Sequence, residues 1–144
     1  MRNRRRIFLA TAAVACSLTC AALAGCSAGG ATRAGAEETA ERFSRAVADR
    51  DGSTACGLLV RDAREAVETA TRTSCETGVL RLGLAEPRAG AGTERPARVY
   101  GRAAIVEDGP DTVFLARSGD TWLVRAAGCS PKADAPFTCA LDGS

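Results

Sequence analysis

The sequence contains no histidine. That absence removes Ser-His-Asp and Cys-His nucleophile pairs and every imidazole metal site, and leaves Asp, Glu, Tyr or Arg for any proton chemistry. Aromatic residues are nearly as scarce, at 4% of the chain, with one Trp and one Tyr. This excludes a broad stacking platform and predicts an aliphatic, alanine-rich core. Hydrophobic residues at 46% and charged residues at 25% fit an ordinary globular domain. Removing an apparent leader from 144 residues leaves about 119, one small domain and too short for two independent cores.

The leader reads as an address. Arg2, Arg4, Arg5 and Arg6 precede an apolar run from Ile7 to Ala24, followed by small residues, the three parts of a bacterial export signal over residues 1–25. Thr11, Ser17, Thr19 and many alanines make the run weakly hydrophobic for a permanent span. Leu23-Ala24-Gly25-Cys26 resembles a lipobox, in which the thiol is diacylated with chains such as palmitate and becomes the first residue after cleavage. Two acyl chains, at about 0.8 kcal/mol per buried methylene, hold a protein on a membrane where one would be marginal. The expected location is the extracytoplasmic face of the cell membrane, lipid-anchored through Cys26. Arg5-Arg6-Ile7-Phe8-Leu9 also resembles a twin-arginine signal, with Arg4 in place of the usual hydroxyl residue, and the general secretory route is the alternative.

Processing changes the charge balance. The whole chain carries a formal +2, but 19 basic residues less the four in the leader face 17 acidic ones, so the mature side chains sum to about −2. Arginines alternate with Asp and Glu, a mixed solvated surface with no basic stripe, and no nucleic-acid partner is expected.

Of seven cysteines, Cys16 and Cys20 leave with the leader and Cys26 is lipidated, which leaves Cys56, Cys75, Cys129 and Cys139. An even set outside the cell suggests disulfides, and proximity favours Cys56 with Cys75 and Cys129 with Cys139. A four-cysteine zinc site would need a Cys-x-x-Cys pair, which is missing; neither metal nor cofactor is expected.

Along the mature chain, residues 26–35 are rich in Gly and Ala and read as a lipidated flexible tether, with a single α+β domain over residues 36–144. Ala36, Ala40, Phe43 and Val47 recur at helical spacing, with acids near the start and Arg45 and Arg50 near the end. Asp51-Gly52 stops that helix, and Ser53 is placed to cap a short second one carrying Cys56. A third helix is expected over Arg61 to Thr73, and Thr73-Ser74-Cys75-Glu76 resembles a capping box. Beyond the Gly-rich connection at 89–93 the periodicity changes. Ala97 to Glu107, Val113 to Arg117 and Thr121 to Ala127 predict a three-stranded meander, with a fourth edge strand conceivable at Arg88 to Arg95. Strict alternation puts Trp122, Val124 and Ala126 on the helix-covered face, with Trp122 the best core residue.

Helices first, an antiparallel sheet second, the strand Gly119-Asp120-Thr121-Trp122-Leu123-Val124 and the following Gly128-Cys129-Ser130-Pro131 together resemble small actinobacterial lipoproteins with a nuclear transport factor 2-like (SnoaL-like) cone, over roughly residues 36–141. Lys132 is the only lysine, an arginine bias consistent with a GC-rich genome. The resemblance implies a curved sheet of three to four strands wrapped on helices around a cone-shaped recess, here lined by Phe43, Val47, Tyr100, Phe114 and Trp122. A fold does not carry a function with it. Three readings follow. The first is a non-catalytic envelope module that binds a small apolar ligand or an envelope protein. The second is an assembly subunit that dimerises through its sheet face. The third is a histidine-free isomerase or hydratase using Tyr100 with Asp49, Asp62 or Asp111, whose spacing does not bring them together. Replacing Cys26 with alanine is expected to release the protein from the membrane fraction or arrest it as precursor, read by fractionation and electrophoretic mobility; unchanged partitioning would refute the anchor.

Overall fold

Ala36, Ala40 and Phe43 are buried and Val47 half-buried, so the apolar face read from their spacing does meet the core. In the computed structural model, which describes residues 27–84, 96–107, 112–134 and 136–144, they belong to helix α1, Ser27–Ala48. The helix therefore starts nine residues before Ala36, and residues 27–35 are not the flexible tether their composition suggests. The reason is tertiary. The Trp122 indole N–H donates to the Thr32 carbonyl at 3.0 Å, and Gly35 lies against the same ring, where a Cβ would sit 3.3 Å from Cδ1. Thr39 closes the turn by donating its hydroxyl to the Gly35 carbonyl at 2.9 Å. Packing on one large side chain outweighs a cost of about 1 kcal/mol per helical glycine.

Three short helices follow: α2, Gly52–Gly57; α3, Arg61–Thr71; and α4, Cys75–Gly78, which runs into a 3-10 turn, Val79–Arg81. The α2 cap is Asp51, not Ser53: its Oδ1 accepts from the Thr54 N–H at 3.0 Å. Hydrogen bonds from Thr54, through the side chain first and the backbone second, hold the Asp51 carboxyl below the ordinary aspartate range. At the other end of α2, Arg64 donates to the carbonyls of Gly57 and Leu59 at 3.1 and 3.2 Å, a cation on a helix C-terminus. The expected capping box at Thr73 to Glu76 does not form. Ser74 occupies the N-cap but turns its hydroxyl to Thr77, and Glu68 of α3 instead accepts from the Cys75 N–H at 3.3 Å. The Cys56–Cys75 disulfide joins α2 to α4 with Cα atoms 5.9 Å apart.

Among the described residues the sheet has five strands rather than three or four, all antiparallel, in the order β1 (Ala97–Tyr100), β2 (Ala103–Val106), β3 (Thr112–Ser118), β4 (Thr121–Ser130) and β5 (Thr138–Asp142). Ala97 to Glu107 is a hairpin, not one strand. Gly101, with φ +62°, and Gly119, with φ +60°, each take the first central position of a two-residue turn, where a type II′ turn needs a positive φ. The conceivable strand at Arg88 to Arg95 lies outside the described residues. Strict alternation also fails inside β4. Leu115 aligns with Val124 but Phe114 with Ala126, so one residue is extra and β4 bulges there. The bulge moves Ala127, not Ala126, into the core beside Trp122 and Val124. Past it, Cys129 and Cys139 face each other across β4 and β5 and are bridged.

The described residues share one core between the helices and one sheet face, built from Phe43, Leu59, Val67, Leu115, Trp122 and Val124 with alanines between. The two disulfides close loops of 19 and 10 residues, each worth about 3 kcal/mol in the loop-entropy account. Ion pairs such as Arg61–Glu65, at 3.0 Å, are exposed and add little. Gly52 and Gly57, at the two ends of α2, separate packing from propensity. A Cβ on Gly52 would lie 1.9 Å from the Glu76 carbonyl oxygen, and one on Gly57 meets nothing within 4 Å. Gly52→Ala is expected to lower stability by about 1–3 kcal/mol through overpacking, while Gly57→Ala leaves it unchanged or slightly raised; thermal unfolding of the two variants reads the difference.

Candidate functional site

Buried alternation in the sheet decides where a site can lie. Ala104, Val106, Val113, Leu115, Trp122 and Val124 point at the helices, so their neighbours Ile105, Phe114, Ala116 and Leu123 point away from them. The five residues expected to line one recess are consequently split. Phe43 and Trp122 are 2% and 4% exposed inside the core, and Val47 packs on its margin. Phe114 and Tyr100 stand on the opposite face, Tyr100 being 60% exposed. A cone-shaped cavity would occupy the space between α1 and the sheet, and that space holds Phe43, Leu59, Leu115 and Val124.

The concave feature is on the outer face instead. It is an open recess of about 740 Å3 whose apolar floor is Tyr100, Ile105, Phe114 and Ala116. Phe137 braces Phe114 edge-on, with ring centroids 4.9 Å apart at 77°. Arg102 and Arg125 stand around the floor with one acid, Asp142, and Arg117, opposite Trp122 in register, turns its side chain toward the helix-covered side at the same end. Two of these arginines are positioned by the turns. Arg102 donates to the Arg117 carbonyl at 2.7 Å, and Arg117 donates to the Gly119 carbonyl at 3.2 Å and reaches Asp120 at 3.5 Å. Asp142 accepts from the Ser144 N–H at 3.0 Å. An apolar floor edged by guanidinium groups suits an occupant with apolar side chains and carboxylates.

The other residues singled out from the sequence do not gather there. Asp49 follows α1 and Asp62 opens α3, both exposed on the helix side, and Asp111 lies outside the described residues. Residues 1–26, including Cys16, Cys20 and the lipobox Cys26, also lie outside them. Among the described residues no group of three or more His, Cys, Asp or Glu is placed to hold a metal ion, and no helix is long and apolar enough to cross a membrane. The sequence reading missed Ile105, Arg102, Arg117, Arg125 and Asp142. The signal for Ile105 and Arg102 was the Tyr100-Gly101-Arg102-Ala103 turn, and for Asp142 the alternation of β5.

No protein-family model, curated protein or solved structure matches this chain. The site therefore stands on its own geometry. Two kinds of aromatic truncation should separate core from site. Phe43→Ala and Trp122→Ala are each expected to cost roughly 3–5 kcal/mol, whereas Phe114→Ala, which loses the Phe137 contact, costs about 1 kcal/mol. Urea unfolding of the three variants measures this.

Proposed function

We propose that this chain is a non-catalytic binding module, anchored by acyl chains on Cys26 at the extracytoplasmic face of the cell membrane, whose outer sheet face docks an envelope protein. One observation carries the reading: the space between α1 and the sheet holds Phe43, Leu59, Leu115 and Val124, and a concavity lies on the face away from the helices, floored by Ile105 and Phe114 and edged by Arg102 and Arg125. A small ligand is held by enclosing most of its surface, and an open recess on a sheet face encloses little. A protein segment with apolar and acidic side chains complements both floor and rim. Helices followed by an antiparallel sheet support the nuclear transport factor 2-like resemblance. The place where that cone would open is occupied by Phe43, Leu59, Leu115 and Val124. Paired cysteines at disulfide distance support an extracytoplasmic home.

Photo-crosslinking in intact cells tests this reading. A photoreactive residue at Ala116 should give a discrete heterologous adduct that Arg125→Glu abolishes, while the same residue at Glu65 on α3 gives none. An adduct of twice the chain's own mass would favour the second reading, a sheet-to-sheet dimer. No adduct at Ala116, or one indifferent to Arg125→Glu, would overturn the docking face.

A further inference from the structure

Helix α1 begins at Ser27, one residue after the cysteine expected to carry the lipid, so no tether separates anchor from domain. The helix has a defined direction over the sheet. Its Thr32 carbonyl is held by Trp122, two residues past the Gly119-Asp120 turn, and five residues later Glu37 accepts from the N–H of Ala97, at the far end of β1, at 2.8 Å. α1 thus runs away from the end of the sheet that carries the Gly101-Arg102 and Gly119-Asp120 turns. Its first residue lies on the turn side of Thr32 by about 7 Å at 1.5 Å per residue. The two turns are neighbours, joined by the Arg117 N–H donating to the Arg102 carbonyl at 2.8 Å.

We infer that this turn end rests on the headgroups of anionic phospholipid, so that the domain stands upright on the bilayer. The inference rests on the reading of Cys26 as the anchor. The turn end carries Arg33, Arg102 and Arg117 against Asp120, which already leans on Arg117. Next to Arg102 stands Tyr100, the one large hydrophobic among the described residues that is exposed. A phenol beside guanidinium groups is the composition of a bilayer interface, with the ring at headgroup depth and the cations on phosphate. Each basic residue near an anionic surface strengthens association about fivefold, and a short anchor removes most of the search. In that pose the outer sheet face looks sideways, along the membrane plane.

The test uses the processed, lipidated protein in vesicles of phosphatidylcholine alone or mixed equally with phosphatidylglycerol. A dye at Ser118→Cys, beside the turns, and one at Asp134→Cys, between β4 and β5, report quenching by a lipid-borne quencher. Quenching at position 118 but not 134, present only with phosphatidylglycerol and lost in high salt, is the expected result. Arg33→Gln with Arg102→Gln should reduce the docked population roughly 30-fold, and the salt response of the unsubstituted protein gives the same reading without any variant. Equal quenching at both positions, or indifference to phosphatidylglycerol in protein that floats with the vesicles, would overturn the pose and leave the anchor standing. Protein that does not float would overturn both.

Discussion

Strand β4 is bonded on both edges over most of its length, and the rest of the fold is arranged around it. β3 pairs along one edge and β5 along the other from Ala126 to Ser130. Where β5 stops, the backbone of Leu58 to Val60 takes over: Val124 donates to the Leu58 carbonyl at 2.8 Å, and Val60 donates back at 2.9 Å. On the inner face Trp122 fastens α1. One group of β1 is tied to the helix as well, since the Ala97 N–H is taken by Glu37. A sheet whose inner face has one large aromatic and several alanines has little apolar area per residue to bury. It gains fixity by pairing its longest strand on both edges from Val124 to Ser130, as buried peptide groups require.

How far the sequence could be read depended on whether local pattern or long-range contact decided each element. Helix α1 was legible from Ala36 onward because its period of apolar residues needs no partner to be seen. Its start at Ser27 was not legible, because nothing near Thr32 or Gly35 shows that Trp122, some ninety residues later, will seat on them. The cysteine pairs were legible, since short loops favour closure and both bridges are present. The hairpin at Tyr100 to Ala103 was hidden by a continuous run of strand-forming residues with only one glycine to mark it. The bulge in β4 leaves no mark in composition, so Ala126 and Ala127 were assigned to the wrong sides. The interior recess had a different origin: it was implied by the cone-like resemblance, and the inner face of the sheet is instead covered by Phe43 and Leu59.

The binding reading and the membrane pose explain different residues. Ile105, Phe114 and Arg125 belong to a face, whereas Arg33 and the two glycine turns belong to an end, and Tyr100, Arg102 and Arg117 lie where the face meets the end. A module held upright would offer that face to neighbours diffusing in the same plane. Restricting encounter to two dimensions raises the effective concentration of a weak partner, so a shallow site can suffice.

The bridge between Leu59 and Val124 sets the order in which such a chain can finish folding. Polypeptide emerging N-terminus first exposes the alanine face of α1 and the backbone of Leu58 to Val60 well before β4 arrives to cover them. Until the final third of the chain has emerged, the helical segments have no surface to close against, and long-range closure of this kind is slow. A chain with that layout stays loose until its last strands are present, and locks only then.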